Sequence, residues 1–334
     1  MYLFFFHCNA ENLKSQTDKT EMSKFAETGI KNFVYFCKNR EKIKDPKFLK
    51  VEKFDGAQIM YSWKDLEPIK DKYHFDLIEE DLSYLKSRGK TLFIQIQDLT
   101  FDPEYYAAPK YLIEESIFDG GMVYQYDDEG NPEGWVTKRW NKNVRKRFAK
   151  LLTALGRQFD GRIEGINLQE TAINVDEKYD KSFTAETYRD GIMKNMRSLK
   201  KAFSKSTTLQ YANFMPGEWL PWDNKEYLES IYTYGERIGV GLGSPDLMPK
   251  KKNQLNHAYK FMNQLSLTVP IAIAIQDGNY VGRTNDTSIP NAVWENLVPQ
   301  LYEFSRDVLK VSYIFWAAQE PFFSTDVVPY FSEG

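Results

Sequence analysis

The chain has 334 residues, 42% of them apolar and 27% charged, enough for one large core or two modest ones. Its 44 basic and 47 acidic residues leave a formal charge of −3, so no broad positive field exists to draw nucleic acid by counterion release. Two cysteines, Cys8 and Cys37, make no disulfide scaffold, and three separated histidines, His7, His74 and His257, supply no HxH or HExxH cluster. Histidine-based metal chemistry is therefore excluded, and no cofactor is expected.

At the N-terminus an apolar run, residues 2–6 (YLFFF), is followed at once by polar sequence. No run in the chain reaches the roughly 18 apolar residues of a membrane-spanning helix. Small residues at Cys8 and Ala10 suit cleavage of an export signal, and Cys8 also suits a lipid anchor. Residues 1–30 are thus expected to be a signal remnant or polar tether of a secreted or periplasmic protein. The plainer alternative is a cytoplasmic protein whose greasy start packs as an extra strand.

From residue 32 onward, short β-branched and aromatic runs recur, each followed by a loop and a segment of helical periodicity. The strand candidates are 32–38 (NFVYFCK), 57–63 (AQIMYSW), 92–98 (LFIQIQD), 163–170 (IEGINLQE), 209–214 (LQYANF), 238–246 (IGVGLGSPD), 271–277 (IAIAIQD) and 311–320 (VSYIFWAAQE). Helices are expected over 75–88, 143–159, 185–203, 224–237, 252–265 and 292–309. Strands that alternate with helices and lack tight hairpins run parallel, and eight such units predict a closed (β/α)8 TIM barrel over residues 31–334. The segment 99–142 is too long for a plain connection and reads as a functional insertion, a flexible stretch or a small subdomain. A dinucleotide-binding sheet is disfavoured because Gly239, Gly241 and Gly243 have the wrong spacing and come late in the chain.

In such barrels chemistry sits at the C-terminal strand ends. Those ends are polar here: Asp98, Glu170, Asp246, Asp277 and Glu320, joined by Gln97, Gln169, Asn213, Gln276 and Gln319. No lysine or arginine lies at the same strand ends, so charge pairing does not obviously account for the carboxylates. Amides that bond hydroxyls, indoles that stack on sugar faces and two carboxyls that cleave a glycosidic bond together describe carbohydrate chemistry. Trp63, Trp135, Trp140, Trp219, Trp222 and Trp316 fall at strand ends or in the following loops, whereas Trp294 falls on a helix and reads as core. Any one of the six is as readily a core residue as a platform; only the clustering favours the platform.

The stretch Tyr61-Ser62-Trp63-Lys64-Asp65-Leu66-Glu67-Pro68, followed by Lys72-Tyr73-His74-Phe75-Asp76 and the helix candidate to Gly89, resembles the second strand, loop and helix of retaining clan A glycoside hydrolases. The β-galactosidase and cellulase-like members are the best match. Ala108-Pro109-Lys110-Tyr111-Leu112 and Asn143-Val144-Arg145-Lys146-Arg147-Phe148 are similar to the same group. With the eight-strand count, the likeness extends over most of residues 30–330. It implies an acid/base Glu ending strand four, usually after Asn, and a nucleophilic Glu ending strand seven. Glu170 matches the first, although Gln169 precedes it; Asp277 stands at the second.

Aspartate sets its carboxylate back by one C–C bond, about 1.5 Å, and a retaining pair must stand about 5–5.5 Å apart. Three outcomes are open: Asp277 serves as nucleophile after a backbone shift, a wider gap admits water and inverts the reaction, or hydrolysis is lost. Glu320 is the reserve carboxylate, with rim bonding as its bland role. Trp63, Asp98, Gln169, Tyr211, Asn213, Trp219, Asp246, Gln276 and Trp316 are expected to orient the sugar, and for Asp98 and Asp246 helix capping is an equal alternative.

The sequence thus predicts a glycoside hydrolase acting on a poly- or oligosaccharide by a two-carboxylate mechanism. A carbohydrate-binding barrel that has lost catalysis is the rival. A third reading has Asp98, Glu170, Asp246 and Asp277 gather Mg²⁺ or Ca²⁺ through oxygen alone for other chemistry, such as a lyase reaction.

Overall fold

Aromatic and β-branched runs flanked by amphipathic helices become the staves of a closed barrel in a computed structural model, which describes residues 29–333 apart from Asp176, Pro221, 252–256, Leu267 and 285–292. The strands in chain order are β1 (Lys31–Tyr35), β2 (Gly56–Ser62), β3 (Thr91–Gln97), β4 (Met122–Tyr126), β5 (Pro132–Thr137), β6 (Gly165–Leu168), β7 (Thr207–Tyr211), β8 (Gly241–Ser244), β9 (Ile271–Ile275) and β10 (Tyr313–Ala317). All but β4 and β5 pair in parallel around the barrel, and β1 closes it by pairing with both β10 and β2. Each of the eight runs expected from the sequence supplies one stave.

The barrel interior is set by period-two alternation. Phe33, Phe93, Tyr211, Tyr313 and Phe315 meet in a buried inner cluster, with Phe93 and Phe315 edge-to-face at 4.9 Å. Small residues make room for these rings: a Cβ at Gly165 would fall 2.5 Å from the Phe93 ring. Residues of opposite parity, such as Val34, Ile94, Ile273 and Ile314, face the surrounding helices.

Those helices include α1 (Asp76–Ser87), α2 (Lys142–Phe159), α3 (Ala185–Ala202), α4 (Tyr227–Ile238), α5 (Ala258–Leu265) and α6 (Val298–Glu303), the last continuing into a π turn, Phe304–Leu309. Asn141 caps α2 by accepting from the amides of Asn143 and Val144, and Val144, Phe148, Leu151, Leu155 and Phe159 form its buried face. Helix α4 starts at Tyr227, three residues later than expected, because Lys225, Tyr227 and Leu228 offer their amides to the Glu218 carboxylate.

The expectation of no hairpins needs correction. Strands β4 and β5 form an antiparallel ribbon within segment 99–142, outside the barrel. Tyr124 and Trp135 stack across it with centroids 3.7 Å apart, and Thr100 ties it to the β3 end by reciprocal bonds with Trp135. The signal was present in the turn 127–131 (DDEGN) between aromatic runs.

The expected N-terminal leader or tether, with His7, Cys8 and Ala10, lies outside the described residues, as does Lys252. Among the described residues, no helix is long and apolar enough to cross a membrane.

Candidate active site

The C-terminal ends of the staves surround a cleft made of two communicating hollows. The inner one, about 430 Å³, is lined by Glu170, Asp277, Gln169, Gln276, Tyr211 and Tyr35, among others. The outer one, about 240 Å³, shares Glu170 and Gln276 and adds Asn213, Asp246 and Trp219. Glu170 and Asp277, 107 positions apart in sequence, therefore open onto the same space.

Glu170 lies two residues beyond β6, where the chain leaves the sheet. Its Oε2 accepts from Asn213 Nδ2 at 2.7 Å, and its backbone carbonyl accepts from Arg139 Nη1, also at 2.7 Å. Burial pushes its carboxyl up to about 7, helped by the charges of Asp246 and Glu133 and opposed by the Asn213 amide and Arg139. Burial alone raises Asp277 above the usual carboxylate range. Asp246 is raised chiefly by burial and further by the Asp277 charge, against the Asn279 amide that donates to its Oδ1 at 3.0 Å. The carboxylate whose charge bears most on Glu170 is thus Asp246, on the intervening side of the ring.

Gln169 sits at the cleft, but its Oε1 is occupied by the amides of Asp98 and Leu99, at 2.7 and 2.9 Å, leaving its NH₂ group toward the hollow and the Met60 sulfur. Buried side-chain oxygens on the cleft lining, Gln97 Oε1 and Asn213 Oδ1 among them, have no hydrogen-bond partner among the described residues. Such acceptors suit a hydroxyl-rich ligand. Trp219, 38% exposed, presents an indole at the outer hollow.

Four of the residues named as candidates stand away from the cleft. Trp63 is fully buried and faces outward from the end of β2, packed on Phe148, with its indole N–H donated to Glu67. Trp316 is also fully buried: in β10 it pairs with outward-facing Val34, packs on Phe331 and donates to Asn32. Strand parity decides the case of Trp316, whereas Trp63 opens the short helix Trp63–Leu66 that follows β2. Asp98 is withdrawn from the cleft by Arg139, whose Nε and Nη2 reach its two oxygens at 2.8 and 2.5 Å, so a cation does accompany the strand-end carboxylates. Glu320 is exposed; it accepts from the Ser324 hydroxyl at 2.5 Å and lies 3.7 Å from Lys47. With Asp98 committed to Arg139, the four-carboxylate oxygen cage does not assemble; among the described residues no group of three or more His, Cys, Asp or Glu has a metal-holding arrangement.

The motif that carried the resemblance is itself structural. Buried Glu67 gathers the Trp63 indole, the Tyr111 hydroxyl and the Arg147 guanidinium, binding the ends of three quoted stretches behind β2. Sequence reasoning missed Tyr35 and Phe101 in the cleft lining, Arg139 behind it, and Glu133 and Gln125 from the hairpin. Among these only the hairpin residues had a readable cue, the turn that pairs β4 with β5.

No family model and no curated protein matches the sequence. Similar solved structures include a family 39 glycoside hydrolase from the gut symbiont Bacteroides cellulosilyticus WH2, at 12% identity, TM-score 0.54 and coverage of 88% of this chain. The catalytic domain of a β-amylase from Paenibacillus polymyxa matches at 10% identity and TM-score 0.55, over 90% of this chain and 98% of that one. Xylanase 10B from Thermotoga petrophila RKU-1, in complex with xylobiose, matches at 13% identity and TM-score 0.52, over 94% and 86%. The chain spans only 57% of the length of the first of these proteins. At such identities the likeness is one of fold: this chain is an eight-stranded parallel α/β barrel similar in architecture to these carbohydrate-active proteins.

Proposed function

We propose that the protein is a glycosidase that hydrolyses a poly- or oligosaccharide with Glu170 as acid/base and Asp277 as nucleophile or water-activating base. The supporting observation is that Glu170, a buried carboxyl titrating at about 7, shares a cleft with Asp277, contributed by a different stave. A buried carboxyl raised toward neutral pH, facing a second carboxyl across one cleft, is the arrangement that suits a general acid.

In this reading the protonated Glu170 donates to the glycosidic oxygen as the C–O bond breaks and the leaving sugar departs as an alcohol. Ionised Asp277 either bonds to the anomeric carbon, giving an ester that water then cleaves, or takes a proton from the water that attacks directly. In the first case Glu170 deprotonates the incoming water and is restored to its acid form. Asn213, Gln276 and the Gln169 amide meet sugar hydroxyls, and Trp219 supplies a stacking face.

The structural neighbours are carbohydrate-active proteins, which supports the substrate class. A second reading, a sugar-binding barrel without turnover, is favoured by one observation: the Asp277 carboxylate makes no hydrogen bond with a described residue, so no donor orients it. A panel of chromogenic glycosides tests both. The hydrolytic reading expects turnover on at least one glycoside and a loss of about 10²–10⁴-fold in Glu170→Gln. Sugar binding with no turnover across the panel establishes the second reading instead.

A further inference from the structure

We propose that the cleft takes a sugar bearing one anionic substituent, a carboxylate or a sulfate ester, docked on the ammonium groups of Lys38 and Lys64. This inference rests on the carbohydrate reading above and names the substrate class within it.

Lys38 follows β1 and Lys64 lies in the short helix Trp63–Leu66 that follows β2, so adjacent staves deliver both lysines to the same arc of the mouth. Both ammonium groups lie over the ring of Tyr105, from the insertion, with Nζ at 3.4 and 3.7 Å from its centroid. Lys38 and Tyr105 line the inner hollow together with Glu170 and Asp277.

Neither ammonium has an ion pair or side-chain hydrogen bond with a described residue; the π face of Tyr105 is their shared partner. Lysines elsewhere on the barrel are satisfied differently: Lys31 meets Glu164 at 2.6 Å and Lys138 meets Asp119 at 2.8 Å. The carboxylates whose charge acts on Lys38 are those of Asp65, which acts on Lys64 as well, and Asp102, which lines the inner hollow. Asp65 accepts from the Ser62 hydroxyl at 2.5 Å, and Asp102 accepts from the Glu104 amide at 2.9 Å. Two like charges on one ring repel, and burial and that repulsion draw the Lys38 ammonium below its ordinary range, while burial does the same for Lys64.

A ligand oxyanion placed there relieves the repulsion and meets donors that water otherwise satisfies. The rest of the cleft limits the charge. Asp246 and Asp277 repel a dense polyanion, so the anionic group belongs on a single residue at the Lys38 end, with neutral sugar over Glu170.

The test uses the full chain carrying Glu170→Gln, so that binding is read without turnover. Calorimetric titration in about 50 mM salt, where surface charge is weakly screened, compares two pairs of probes. One pair is a glucuronate-bearing xylo-oligosaccharide and its carboxyl-reduced form; the other is a sulfated galacto-oligosaccharide and its desulfated form. At least one anionic probe is expected to bind about tenfold more tightly than its neutral counterpart, and the responding pair identifies the carboxylate or the sulfate ester. Adding Lys38→Gln or Lys64→Gln is expected to reduce that preference at least about threefold while leaving the neutral form's Kd unchanged.

The proposal is overturned if neutral forms bind as well as charged ones, if neither anionic probe binds, or if the lysine variants weaken both forms equally. Neutral binding without charge preference removes this inference and leaves the carbohydrate reading standing. Charge preference without turnover by the unaltered chain on the glycoside panel removes only the hydrolytic step.

Discussion

The Asn213 side-chain amide donates to Oε2 of Glu170 at 2.7 Å, joining residues just beyond the ends of two neighbouring staves, β6 and β7. A donor to a carboxylate favours its ionised form, so this bond holds Glu170 below the value that burial alone would impose.

The pH profile follows from that bond. Glu170 must be protonated to act as the acid, so activity falls as pH rises through about 7. Asn213→Ala removes the donor, raises the Glu170 pKa and moves the alkaline limb of kcat/KM to higher pH, with turnover lower by about tenfold or more as a sugar contact is lost. An alkaline limb that stays put in Asn213→Ala sinks the assignment of Glu170 as the titrating acid.

The same carboxyl sets a stability cost. Its folded pKa of about 7 exceeds the unfolded value, so its own contribution to stability is fully present below the unfolded pKa of about 4.3 and is lost as pH rises through 7. Glu170→Gln should therefore be more stable than the unaltered chain at pH 8, by an energy on the order of 3–4 kcal/mol, and the gap should shrink toward zero near pH 4. Urea denaturation at the two pH values measures it.

Arg139 is buried against Asp98 and also donates to the Glu170 carbonyl and the Tyr188 hydroxyl. Arg139→Gln strands a buried carboxylate and should cost about 3–5 kcal/mol, whereas Asp98→Asn with Arg139→Gln should recover part of it. A double-mutant cycle by chemical denaturation checks this; additive losses would exclude the pairing.

The two classes of tryptophan should separate cleanly. Trp63→Ala opens a cavity behind β2 and should cost about 3–5 kcal/mol of stability. Trp219→Ala, at the outer hollow, should leave the melting temperature nearly unchanged while weakening sugar binding by about tenfold, as expected for loss of one stacking face. Thermal melts and oligosaccharide titration on the two variants decide it.

Much of the fold was legible because a parallel barrel writes itself as repeated short apolar runs, and each run from NFVYFCK to VSYIFWAAQE became a stave. Glu170 and Asp277 were legible as cleft residues because both end such runs, and a stave's C-terminal end has one place to go. The hairpin was overlooked because its aromatic strands sit inside a segment whose length, not its alternation, drew attention.

What the linear chain determined by itself was the alternation of strand and helix, and with it which residues stand at the barrel mouth. Which side of the wall each one faces was decided only by closure. A one-residue step along a strand turns a side chain from lumen to helix layer, so Trp316 went outward beside cleft-facing neighbours, while Trp63 packs behind β2 from the short helix that follows it and Asp98 is held by Arg139. Long-range pairing also lay beyond the local pattern. Arg139 reaches Asp98 across 41 positions and Asn213 reaches Glu170 across 43, contacts that exist because the ring brings staves and insertion together.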